Sequence, residues 1–201
     1  MNKLGGPFHM MFLCLCVALN IGAVALVGSL KLPFFLDSVG TVLAAALGGW
    51  LYGSLCGLIT VTVASVTTTP TYWAYGGTTV VIAALTALLT RYGFLRTVTA
   101  TVIGGVIVGV ASAVASMPVT VFLGGVTLIG TDAITALFKA MGNTLVKSVV
   151  LSGLSTDPVD KVVTGLIALS ILKSLPRRIF YRFPRGRLFI DTDHPAKGGA
   201  P

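Results

Sequence analysis

The chain carries no Asp, Glu, Lys or Arg between Asp37 and Arg91, and none between Arg96 and Asp132. Uncharged, apolar stretches this long are stable mainly in contact with lipid or other protein, so both must lie largely in a membrane. The whole sequence agrees: 55% of residues are hydrophobic and 10% are charged, against about 25% charged in soluble domains. Mean hydropathy is +0.95. The net charge of +8 sits beside apolar runs. It therefore speaks of topology and anionic lipid, not of nucleic acid.

Local punctuation divides the uncharged stretches. Gly48, Gly49 and Gly53 flank Trp50 and Tyr52, which suits a tight interfacial turn with aromatic anchors. A β-branched run, Thr67 to Thr69, leads into Pro70 and disfavours helix there. The expected fold is all-α, with six transmembrane helices at about 8–30, 36–50, 52–68, 76–92, 96–116 and 157–176. The first run, from Phe8 to Leu30, is too long for a signal-peptide core and is read as a retained span, although Ala23 and Ala25 mimic a cleavage site.

The closing span sets the orientation. Asp157 can cap a helix and Pro158 suits its first position. Pro158 to Leu175 extends about 27 Å at 1.5 Å per residue, close to a hydrocarbon core. Pro176 stops it, and Arg177, Arg178, Arg182, Arg185 and Arg187 follow with no acid among them. By the positive-inside rule this end is cytoplasmic. An even number of spans puts both termini there, together with Arg91 and Arg96. Between spans five and six, Pro118 ends or kinks a helix. Thr131 or Asp132 can cap a short helix to about Met141, and Asn143 another to about Leu151. After Arg182 the Pro-, Gly- and charge-rich tail reads as a disordered, solvated extension over 182–201.

In this topology every acid before the tail falls in the outer half: Asp37, Asp132, Asp157 and Asp160. Asp157 reads as a cap. Asp132 reads as a cap or a ligand contact. Asp160 suits the positive end of a helix dipole, a pair with Lys161 or Lys147, or a ligand. Asp37 precedes an uncharged span, so its burial demands a partner, either a substrate or a structural salt bridge. The loop Thr71-Tyr72-Trp73-Ala74-Tyr75-Gly76-Gly77 is either an interfacial aromatic belt or a lid whose rings stack on a flat ligand. Ala18, Gly22 and Ala25 make one smooth face of the first span, suited to another helix of this chain or of a partner. Gly104, Gly105 and Gly109 form a similar strip in the fifth. Cys14, Cys16 and Cys56 lie in apolar runs without metal-ligand spacing and read as buried small hydrophobes. The sequence holds no G-x-x-x-x-G-K-[ST], no H-E-x-x-H and no nucleophile–His arrangement. No catalytic residue, metal or cofactor is expected. Nor do the expected spans bury ionisable groups at mid-membrane, as a lone secondary transporter would require.

Several segments resemble those of S components of energy-coupling factor (ECF) transporters. They are Leu32-Pro-Phe-Phe-Leu-Asp-Ser-Val-Gly-Thr41, Gly125-Val-Thr-Leu-Ile-Gly-Thr-Asp132, and Asp157-Pro-Val-Asp-Lys161 with Leu175-Pro-Arg-Arg178. The resemblance implies a six-helix substrate-binding domain over 1–181 that captures a small water-soluble micronutrient from outside. It also implies partners, a transmembrane T component and two ATPases, whose action topples the subunit in the bilayer to release substrate inside. Carried over, substrate binding falls to Asp37, Tyr72, Trp73, Tyr75, Asp132 and Asp160. Docking to the T component falls to Ala18 and Gly22, with Ala25 on the same face. The contrasting expectation is a self-sufficient oligomeric channel or secondary transporter; a membrane-embedded enzyme is a third.

Overall fold

The structure is a computed structural model that describes residues 6–30, 35–127 and 131–190. These residues form helices α1 (Pro7–Ser29), α2 (Val39–Gly48), α3 (Trp50–Thr67), α4 (Gly76–Arg91), α5 (Val98–Phe122), α6 (Asp132–Ala140), α7 (Leu145–Ser174), α8 (Arg177–Phe180) and α9 (Arg187–Ile190), with a 3-10 turn at Pro70–Tyr75 before α4. No β-strand occurs among the described residues. Four segments are long and apolar enough to cross a membrane: Pro7–Ser29, Trp50–Thr67, Pro70–Arg91 and Val98–Phe122. Helices satisfy their backbone groups internally, which is what a chain in lipid requires. Their outward faces carry Leu15, Leu26, Ile103, Ile107, Val110 and Val114, all exposed. The protein is therefore membrane-embedded.

The short helix α2 lies at the centre. Each residue from Val39 to Leu47 is buried, enclosed by α1, α3, α4 and α7. A helix shielded on all sides reads as a continuous apolar run, so periodicity could not show that it is only ten residues long. Gly49 ends it with φ +98°, a conformation that β-carbon sterics deny most residues, and α3 starts at the next position. A buried polar knot ties the first three helices. The Asn20 amide donates to Thr41 Oγ1 (3.1 Å) and Thr60 Oγ1 (3.0 Å), and its oxygen accepts from the Gly40 N–H (2.6 Å).

Helices α5 and α7 make the most extensive pairing in the fold. The glycine strip of α5 explains it. A β-carbon at Gly109 would lie 2.4 Å from Pro158 Cα, and one at Gly105 would lie 2.8 Å from Val162 Cα. Only glycine lets the two backbones come this close. The strip on α1 behaves oppositely. Ala18, Gly22 and Ala25 are exposed, and a β-carbon at Gly22 meets nothing within 4 Å.

Five expectations need correction. Of the two effects expected of Pro118, ending the fifth helix is not the one it has, since the helix runs to Phe122. Asn143 does not cap a separate helix: its amide donates to Phe138 O at the end of α6, while Thr144 caps α7 by accepting from the Lys147 N–H. Asp157 is no cap either, because α7 continues unbroken through Pro158 for 30 residues. Ser and Thr hydroxyls surround that proline, with Thr156 bonding back to Ser152 O and Ser155 to Leu151 O. Such neighbours let a helix in an apolar setting tolerate proline. Fourth, the tail is folded through Ile190. Phe183 is buried against the rings of Phe8, His9 and Phe12. The Arg182 guanidinium lies 4.5 Å from the Phe8 ring centre. Arg185 donates from its backbone to Leu47 O and from its side chain to Ala87 O. Burial, with Arg91 nearby, holds that guanidinium below its ordinary range. Phe180, Phe183 and Phe189 supply apolar area that a reading by Pro, Gly and charge undervalues. The rest of the expected tail, 191–201, lies outside the described residues. Cys16 and Cys56 are buried as expected, but Cys14 is exposed.

The two glycine strips give a paired test. Gly109→Val is expected to cost at least about 1–3 kcal/mol through overpacking. The same change at Gly22 is expected to leave the thermal unfolding midpoint in detergent nearly unmoved. A comparable loss at both positions contradicts the packing described here.

Candidate functional site

A cavity of ≈ 80 Å³ opens between the start of α2, the 3-10 turn, the first turns of α4, the later half of α5, α6 and the middle of α7. Many of the residues in its wall bear hydroxyls. Ser112, Ser116 and Thr120 descend one face of α5, Ser152 and Thr156 one face of α7, and Thr131, just before α6, stands one turn from Thr135. Each set has a spacing of four, which aligns side chains on one helical face. Val61, Ile82, Met117 and Val149 add apolar surface. Three charged groups also line the cavity: Asp37, Asp157 and Lys161.

One buried charge cluster builds the wall nearest α2. Asp160, fully buried, receives the Lys161 ammonium at 2.5 Å. Its other oxygen accepts the backbone N–H groups of Phe35 (3.0 Å) and Leu36 (2.8 Å). Leu36 sits at φ +45°, a left-handed conformation that costs a branched residue about 1–2 kcal/mol. The paired N–H groups on Asp160 hold that turn. Asp37 and Ser38 follow directly, so the clasp aims both at the cavity. Lys161 also lies 3.6 Å from Asp37.

Asp157, one turn from Lys161 on the cavity side, has weaker company. Ser112 Oγ approaches it at 3.3 Å and Thr156 Oγ1 at 3.4 Å. Both hydroxyls also donate to helix carbonyls at 2.9 Å. Tyr72 is buried and packed beside Phe35 of the clasp, and Tyr75 is half-buried, its hydroxyl bonding Thr120 at 2.9 Å. Thr71 ties the 3-10 turn to the far side by donating to Thr127 O.

Of the residues the sequence nominates for substrate, Asp37, Tyr72 and Tyr75 line the cavity, and Trp73, Asp132 and Asp160 do not. Trp73 is 59% exposed, because the tight 3-10 winding turns it away from its two tyrosine neighbours. Asp132 accepts from the Thr127 N–H and hydroxyl, and so positions a cavity residue without lining the cavity itself. Asp160 is enclosed by the clasp. Asp37 makes the salt bridge that was one of its two expected roles and faces the cavity as well. Lys161, Ser38 and the hydroxyl faces were not nominated. The hydroxyl faces had a readable signal in their spacing of four. Lys161 had none, because an Asp-Lys pair beside a proline reads as a solvated helix start.

No metal-binding group of three or more His, Cys or acidic side chains occurs among the described residues. Compared with known proteins, the chain matches no family model, no curated protein and no solved structure.

The clasp predicts a particular stability pattern. Lys161→Met leaves Asp160 buried beside Asp37 without a cation and is expected to cost about 3–5 kcal/mol. Adding Asp160→Asn is expected to recover part of that loss, a coupling readable in a double-mutant cycle of unfolding midpoints. Strictly additive effects contradict the clasp.

Proposed function

We propose that this chain is the membrane-embedded substrate-binding subunit of an ECF-type importer. The single observation behind this reading is a hydroxyl-rich, charge-bearing cavity at one end of an apolar helical protein whose other end carries the Arg91, Arg96 and Arg177–Arg187 cations. Under the positive-inside rule the cations face the cytoplasm, so the cavity faces outward. The substrate is a small water-soluble micronutrient of the size and polarity of a vitamin, a vitamin precursor or a nucleoside. The membrane is the cell membrane of a prokaryote.

In this reading α2 and α7 join the four apolar helices to make six crossings, with both termini inside. Helix α7 has the length, and its mid-helix charges Asp157, Asp160 and Lys161 are enclosed in protein. Helix α2 touches no lipid, so its short length need not match a bilayer. A T component docks on the exposed Ala18, Gly22 and Ala25 strip of α1, and two ATPases drive the toppling that delivers substrate inward. The alternative, a self-sufficient oligomeric transporter or channel, draws support from the same exposed strip, which would then join copies of this chain.

Two measurements decide between them. A tagged chain is expected to copurify with a T component and two ATPases, whereas full-rate uptake by the chain alone in liposomes favours the alternative. Gly22→Leu is expected to abolish that assembly while leaving ligand affinity and fold intact, because the added side chain meets no atom of this protein. Normal assembly by this variant moves the docking face elsewhere.

A further inference from the structure

The cavity's charge and hydrogen-bonding capacity specify more about its ligand than its size does. The cluster at its wall contains three carboxylates, Asp37, Asp157 and Asp160, and one cation, Lys161. Lys161 is committed to Asp160 at 2.5 Å and stands off from Asp37 at 3.6 Å. Asp37 Oδ1, the oxygen that faces the Lys161 ammonium, is buried and accepts no hydrogen bond. Asp157 holds only two long contacts from hydroxyls whose single protons already serve helix carbonyls. The other described lysines on this side, Lys139 and Lys147, are exposed and do not line the cavity.

A second observation is independent of the acids. Ser38, 98% buried, lines the cavity with a hydroxyl that has no partner. A polar atom left unpaired in a buried site is costly and calls for one. Four of the wall's hydroxyls point the same way. Ser116 and Thr120 donate to Ala113 O and Ser116 O, as Ser112 and Thr156 do to their own helices. On these four the proton is turned to the backbone, and the lone pairs are what remains for a ligand. The cavity thus offers acceptors and carries excess negative charge, and the rings of Tyr72 and Tyr75 line it as well.

We infer that the cavity selects a positively charged, donor-rich ligand: a flat ring bearing a protonated amine, with the amine between Asp37, Ser38 and Asp157 and the ring against Tyr72 and Tyr75. Tyrosine faces also attract cations, which adds to the preference. This inference rests on the reading of the cavity as a substrate site.

Three probes of one shape and different charge test it. Benzylammonium, benzyl alcohol and benzoate are titrated calorimetrically into the full chain in detergent. Benzylammonium is expected to bind about ten- to a hundredfold more tightly than benzyl alcohol, the worth of hydrogen bonds to a charged group, and benzoate not measurably. Asp157→Asn and Ser38→Ala, checked for an unchanged unfolding midpoint, are expected to shrink the amine-to-alcohol ratio. If either variant fails to fold, the ranking on the unaltered chain decides. Equal binding of amine and alcohol, a preference for benzoate, or no binding of the amine overturns the inference. Those outcomes leave T-component copurification untouched, whereas failed copurification would remove the importer reading and leave the charge preference standing.

Discussion

The position of Asp160 governs the site. One buried carboxylate takes the ammonium of its neighbour Lys161 and two backbone N–H groups from the segment before α2. A carboxylate in an apolar surrounding needs this many partners, since an uncompensated one would be several kcal/mol too costly. Because the two N–H groups come from a distant stretch, satisfying Asp160 also fixes where that stretch sits. The turn at Leu36 is held against its steric preference, and Asp37 and Ser38 are delivered to the cavity edge. The start of α2, and with it the central helix, follows from that placement.

The same logic explains how a largely apolar protein keeps a polar interior. Hydroxyls on α5 and α7 return their protons to carbonyls of their own helices. They therefore cost little to bury and still offer lone pairs to the space between the helices. Glycines on the same face of α5 let α7 approach closely enough for Ser112 to reach Asp157. Close backbone packing and a polar cavity are thus produced by one helical face, with small residues toward its start and hydroxyls further along.

Much of the fold was legible because lipid leaves the backbone few choices. The uncharged stretches, the Gly48–Gly49 break and the arrest at Pro70 each mark an element that the structure contains. Two of the failures share a cause: Asp157 and the arginine-rich tail carry local signals for stopping, and their partners lie far away in the chain. Asp157 looked like a cap because its contact, Ser112, is 45 positions away. Phe183 looked solvated because Phe8 and Phe12, which enclose it, are at the opposite terminus.

By itself, the sequence determined that this is a helical protein of the membrane, with its cations gathered toward one end and its acids toward the other. Those properties depend on composition and order alone, which hydrophobic transfer and backbone hydrogen bonding read directly. Tertiary structure decided which small residues are packed and which are bare, for Gly109 and Gly22 are the same residue in similar helices. It also decided that Asp160 is structural while Asp37 and Asp157 face the cavity. A carboxylate's role depends on how many donors surround it, and those donors come from segments more than a hundred residues apart.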